Sequence, residues 1–208
     1  MVMSFIRPRI YLASQSPRRR ELLKQIGINF EVLLLRTDPR RQVDVDEEPH
    51  SGELPDAYVQ RLSAEKARAA WDALAFRNQP PFPVLAADTT VTIDGKILGK
   101  PRDHADATAM LRLLSGRQHQ VLTAVSVTFD EQIETRLSTT TITFAKLSEQ
   151  RIRRYVLSNE AHDKAGAYGI QGHAGCFVQR LEGSYSGVVG LPLFETVELL
   201  ELFGYPVP

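Results

Sequence analysis

The sequence holds a single cysteine, Cys176, among 208 residues. One cysteine closes no intrachain disulfide, so a reducing compartment and a cytoplasmic location are expected. Cys176 itself, in "HAGCFV", reads as a small buried residue rather than a catalytic thiol. Net charge is lacking too: 25 Lys and Arg balance 25 Asp and Glu. A protein built to coat a nucleic-acid polymer carries a basic excess, and no basic-aromatic stripe is present either. No apolar run approaches the length that spans a membrane. Arg7, Pro8 and Arg9 break up the apolar core that a signal peptide would need. The motif G-x-x-x-x-G-K-[ST] is absent, which sets aside an ordinary P-loop ATPase. No internal repeat or low-complexity tract stands out.

What is present is an ordinary globular composition, 43% hydrophobic, at a length for one medium domain or two small lobes. A single domain over 1–208 is the expectation. "RIYLA" (9–13) reads as a first buried strand and "FEVLLL" (30–35) as a second. Between them Pro17 suits the first turn of a helix and Gly27 its C-terminal cap. The polar stretch 36–54 is a long loop, a length that is often functional. Pro55 then opens a helix with Tyr58, Leu62, Ala69 and Leu74 roughly on one face. "PVLAADTTVTI" (83–93) is a strand that turns at Asp94-Gly95, a hairpin signal. Asp103 caps a helix to Leu114, closed by Gly116. Two long alternating strands follow around a turn near Asp130, in antiparallel sense. Ser148 caps "EQRIRRYVLSN", a glycine-rich region runs from 166 to 190, and a last helix spans Leu193 to Phe203. The pattern is mixed α/β.

The chemistry begins at "SQSPRRR" (14–20). A helix start is the positive end of the dipole, so three arginines there repel it and one another. A polar turn offering N–H groups and hydroxyls, joined by Arg18 and Arg19, makes a phosphate site, for which the guanidinium fork is suited. Successive helical residues face different ways, so one of the three, Arg20, is expected to point to solvent. A solvated helix end beside Glu21 is an equal reading of this stretch alone. "DVDEE" (44–48) supplies hard oxygen ligands of the kind Mg²⁺ requires, with phosphate completing the shell, although loop carboxylates are usually just solvated. Asp88 follows apolar Val84 to Ala87, which places a carboxylate at the end of a buried strand, where a charge is costly without a partner. Lys66 in "SAEKA" and Lys100 in "LGKP" could supply further phosphate contacts; each alone is an ordinary surface lysine.

Six stretches, "LASQSPRRRELL", "YVQRLSAEKA", "AADTTVTIDGKILGKP", "MLRLLSGRQHQVLTAVSV", "DKAGAYGIQGHAGCFV" and "GSYSGVVGLPL", resemble in order the signature blocks of the Maf family of nucleoside triphosphate pyrophosphatases. The resemblance runs from about Tyr11 to about Phe203. It implies a mixed twisted sheet with flanking helices and two lobes around a central cleft, similar to the inosine triphosphate pyrophosphatase fold. It implies cleavage between the α- and β-phosphates with a divalent metal cation, Mg²⁺ or Mn²⁺, and a family in which homodimers are common. Carried over residue by residue, Ser14, Arg18 and Arg19 match the phosphate block. Asp88 matches the catalytic aspartate and general base, which also holds metal. Lys66 and Lys100 match substrate-binding lysines, and Glu47 matches the acidic metal ligand.

Arg18, Thr89 and Gln171 resemble the branch of the family that acts on dTTP and UTP; a sister branch, associated with 7-methylguanosine triphosphate, tends to carry an aromatic residue after Ser-Pro and a Gln after the Asp. The stretch "RTDPRRQV" (36–43) departs from the family pattern as an insertion, either a longer flap over the cleft or surface decoration. It leaves Asp38 as the competitor to Glu47 for the acidic position. A different class stays open: a nucleotide-sensing regulator linked to cell division that binds without turnover.

Overall fold

A computed structural model describes residues 9–36 and 44–207. Among these, seven strands form one sheet in the order β2-β1-β3-β5-β6-β7, with β4 paired to β3. The chain order is β1 (Ile10–Leu12), α1 (Pro17–Gln25), β2 (Phe30–Val32), α2 (Pro55–Phe76), β3 (Val84–Ile93), β4 (Lys96–Leu98), α3 (His104–Leu114), β5 (Gln118–Phe129), β6 (Gln132–Phe144), α4 (Glu149–Leu157), β7 (Val178–Glu182), α5 (Tyr185–Val189) and α6 (Leu193–Leu202). β1 runs parallel to β2 and β3, and the remaining pairs are antiparallel. The mixed α/β sheet with flanking helices is as expected. Among the described residues, no helix is long and apolar enough to cross a membrane.

Local chemistry sets the boundaries. Ser16 caps α1, its hydroxyl accepting from the Arg19 amide, and Pro17 fills the first turn. Asp103 and Ser148 cap α3 and α4 in the same way. Asp94 and Gly95 both take positive φ, 52° and 73°, the pair that a tight two-residue hairpin demands. β2 stops at Val32 although the apolar run continues to Leu35, because its one strand partner among the described residues, β1, is itself three residues long. The buried stripe of α2 is Val59, Leu62, Ser63, Ala67, Ala70 and Leu74. Tyr58 and Ala69, expected on that stripe, are half-buried beside it.

The long strands carry apolar clusters at both ends and on both faces. Val91, Ile93, Val121 and Ile142 pack with α3 and α4 at one end. Leu85, Ala87, Val125 and Val127 pack with β1, α1 and α6 at the other, and Val84 and Ala86 meet α2 on the opposite face. Burying these apolar surfaces is the main drive for folding. A chain of buried hydroxyls fastens α2 to the sheet: Ser126 donates to Ser63 at 2.8 Å, and Ser126 lies 2.8 Å from Thr135 of β6.

One edge of β3 is interrupted. β1 pairs with it only at Val84 and Leu85, and β4 takes over only from Val91. Among the described residues, Ala86 to Thr90 therefore have a strand partner on one side only, β5. The chain leaving β1 turns into α1 beside this gap, with the Ala13 amide donating to Leu85 O at 2.8 Å.

Candidate active site

The gap in β3 holds Asp88 and Thr89. Asp88 is in the middle of a ten-residue strand, not at its end as the apolar run Val84 to Ala87 suggested. The following threonines are β-branched and keep the strand extended. Successive strand side chains face opposite ways. Asp88 therefore meets α2 on one face of the sheet, and Thr89 meets α1 on the other.

On the α2 face, Lys66 Nζ lies 2.7 Å from Asp88 Oδ1 and 2.6 Å from Glu47 Oε1. Lys66 and Asp88 are each only 14% exposed, while Glu47 is 50% exposed. Lys66 falls in register with the buried stripe of α2, one turn beyond Leu62 and Ser63, so the helix itself drives an ammonium inward. A cation there answers the cost of burying Asp88. Burial alone would raise the Glu47 carboxyl, but Lys66, with Lys100 and Arg19, outweighs it and holds Glu47 below its ordinary value. Lys100, exposed on the turn after β4, thus acts on the same carboxylate. Asp38 lies outside the described residues.

On the α1 face, Arg19 donates from Nε to Gly190 O at 2.8 Å, from Nη1 to Ser14 Oγ at 3.2 Å and from Nη2 to Thr89 Oγ1 at 3.3 Å. Burial lowers the guanidinium from its ordinary value, while Asp88 and Glu47 pull it back up. The first turn of α1 contains no acidic residue, so the turn itself supplies no charge to answer the dipole or the arginines. Arg18 is a third exposed and reaches Asp163 at 3.9 Å. Arg20 is half-buried rather than solvent-facing, and takes no part in the network. Gln171 is exposed on a turn, next to Ile170, which packs against the core that β1, α1 and α6 share with β3 and β5.

Several members of this site were not singled out by sequence reasoning. Tyr58 donates to Glu47 O at 2.9 Å. Burial, then the charges of Asp88 and Glu47, push its hydroxyl up to about 12. Arg61 holds Glu53 with Nε at 2.7 Å and Nη2 at 2.8 Å, and Nη2 also reaches Glu48 O at 3.2 Å. The acidic loop is therefore docked on α2 by Tyr58 and Arg61. Their i, i+3 spacing on the helix that carries Lys66 was the available signal. Thr123 donates to Gly187 O at 2.8 Å, and its hydroxyl lies 3.1 Å from Thr89 Oγ1. Gly190, at φ 126°, turns its carbonyl to Arg19 in a conformation that L side chains rarely adopt. Cys176, expected to be buried, is exposed; its thiol donates to His173 O at 2.9 Å, and Arg151 Nη2 lies 3.1 Å from its sulfur. The neighbouring Ala174 and Phe177 fill the core in its place.

Two carboxylates and four cations thus surround one open strand edge, an arrangement able to bind a polyanion and to hold a water against it. The family described as "Maf-like protein" matches residues 9–203. The chain is 56% identical over 198 residues to a dTTP/UTP pyrophosphatase of Nitrosomonas europaea, covering 95% of this chain and 96% of that protein. It is 52% identical over 203 residues to a dTTP/UTP pyrophosphatase of Aromatoleum aromaticum, covering 97% and 98%. Among solved structures, the Ham1 protein of Staphylococcus aureus aligns at a TM-score of 0.47 and 17% identity, over 94% of this chain and 97% of that one. With a match that spans both faces of the β3 gap and relatives of half-identical sequence over nearly full length, this chain belongs to the Maf family.

Proposed function

We propose that this chain is a nucleoside triphosphate pyrophosphatase that hydrolyses dTTP and UTP to the monophosphate and pyrophosphate. The observation that carries the reading is the convergence of Lys66, Glu47 and Asp88 opposite Arg19 at the open edge of β3. The names of the relatives supply the substrate class. The ligand is a small nucleotide rather than a nucleic-acid polymer, and the lone cysteine suits a reducing, cytoplasmic setting.

Glu47 and Asp88 present hard oxygens to one point, at present taken by the Lys66 ammonium, and that donor chemistry fits Mg²⁺ or Mn²⁺. The two carboxylates would hold such an ion, which when bound neutralises phosphate oxygens and polarises the phosphorus. Ser14, Arg18 and Arg19 grip the triphosphate at the start of α1. Lys66, released from its carboxylates, and Lys100 balance the charge that grows on the transferring and leaving phosphates. Asp88 takes the proton from the attacking water and orients it in line with the α–β anhydride. Thr89 and Gln171 meet the base. A uracil or thymine edge offers N3–H beside a carbonyl, and a glutamine amide accepts from the first and donates to the second.

A regulator that only senses nucleotide has no use for a water-activating carboxylate held beside Lys66. Pyrophosphate release on mixing with UTP and Mg²⁺ supports the enzyme reading; tight UTP binding without release would replace it with the sensor.

A further inference from the structure

The turn after α4, residues 158–164, plays no part in the chemistry above, yet it is tied both to Arg18 and to the loop that carries Gln171. Glu160 is at the centre. The His173 amide donates to Glu160 Oε2 at 3.0 Å, and His173 Nδ1 lies 2.7 Å from the same oxygen. Tyr155 Oη donates to Oε1 at 3.2 Å, and the Ala174 amide also donates to this carboxylate. The main chain of Glu160 is used as well: its carbonyl accepts from Lys164 Nζ at 2.6 Å. Lys164 in turn holds Asp163 at 2.6 Å, and Asp163 faces Arg18. One short turn therefore touches the Arg18 side chain on one flank and the Gln171 loop on the other.

The fit to that loop is close. A Cβ at Gly172 would lie 2.1 Å from Glu160 Oε1 and 2.4 Å from its Cδ. A Cβ at Gly169 would lie 2.7 Å from the Lys164 stem. The two glycines that bracket Ile170 and Gln171 are thus pressed against Glu160 and Lys164, and no other residue type fits without displacing them. The carboxylate is only 18% exposed, whereas Gln171 itself faces solvent. A buried anion spending its acceptor capacity on one surface turn serves to fix that turn, since charge-assisted hydrogen bonds are the stronger kind.

We propose that Glu160 is a positioning residue for base recognition: by holding His173 and Ala174 it sets the Gln171-Gly172 turn in the one arrangement in which the Gln171 amide meets a pyrimidine edge. Pre-setting a polar group for its ligand avoids an ordering cost on binding. The inference rests on the dTTP/UTP reading and deepens it.

The test is a double-mutant cycle on the full chain. Glu160→Ala, Gln171→Ala and the pair are compared with the unaltered protein for kcat and KM on UTP and GTP, with melting temperature recorded for each. Glu160→Ala should raise KM for UTP and lower the preference for UTP over GTP about tenfold, with kcat changing far less. In the Gln171→Ala background the same change should alter the preference no further. If Glu160→Ala folds poorly, Glu160→Gln serves in the same cycle, since it keeps the size but turns an amide toward two N–H donors. An unchanged preference, or the full loss repeated in the Gln171→Ala background, overturns the positioning role while leaving the enzyme reading intact. Absence of turnover, or of UTP preference, in the unaltered protein overturns both.

Discussion

The two ends of the site are built differently. The phosphate end rests on regular structure: Asp88 on a strand paired along its length to β5, Lys66 on a helix stripe, Arg19 in the first turn of α1. Its groups are mostly buried and already bonded to one another. The base end, apart from Thr89 on β3, is made of turns, with Gln171 exposed and held from behind by Glu160. Chemistry that must place a water against a phosphorus tolerates little displacement. Recognition of a base edge can be carried on a turn, provided something pins it, and can change between relatives without disturbing the strand.

The difference makes ordered predictions. Asp88→Asn should cost about 10²–10⁴-fold in turnover on every nucleotide, the usual loss of a general base, with melting largely kept because an amide still bonds Lys66. Near-normal turnover would remove Asp88 from the chemistry. Arg19→Ala should lower kcat/KM for UTP, CTP and GTP alike by roughly ten- to a hundredfold, the worth of hydrogen bonds to a charged partner. A loss confined to pyrimidines would move Arg19 from the phosphate end to the base end. Gln171→Glu should impair UTP and dTTP by about 1–3 kcal/mol, because a carboxylate cannot donate to a carbonyl. GTP use should stay as it was; equal loss on all nucleotides would merge the two ends into one.

The smallest effect lies beneath the base end. His119 is buried in the core with Phe144 and Tyr168, its Nε2 2.8 Å from the Tyr168 hydroxyl. Burial lowers it from 6.5 to about 4. As pH falls below 6.5 the unfolded chain therefore takes up a proton that the folded chain refuses, and stability declines until about pH 4, where the folded histidine also titrates. Between pH 6.5 and 5.5 this amounts to about 1 kcal/mol. Urea melts of His119→Gln should show a shallower fall over that interval; an identical slope would show that His119 does not stay neutral in the fold.

The same division explains what the sequence made legible. Caps and turns were readable because Pro17, Asp103, Ser148 and Asp94-Gly95 act through local chemistry. Asp88 and the basic residues could be singled out by type and by resemblance. Pairing that depends on distant partners was only partly readable: a strand over 83–93 was expected, but not that β1 leaves it at Leu85 while β5 pairs it from Val84 to Thr92, with Asp88 at an open edge in its interior. β7 and α5 were hidden in the glycine-rich region because β7 is defined by its ladder with β6, not by its own apolar pattern. Tyr58 was read as a helix-face residue and Arg61 was not singled out, because their work is done on backbone carbonyls and a carboxylate of another segment.

The most direct test of the central claim is product analysis of the unaltered protein with UTP, dTTP, CTP and GTP in the presence of Mg²⁺ or Mn²⁺. The account predicts that UTP and dTTP are consumed preferentially, giving equal amounts of monophosphate and pyrophosphate. Release of inorganic phosphate and a nucleoside diphosphate, or equal use of all four nucleotides, would contradict it.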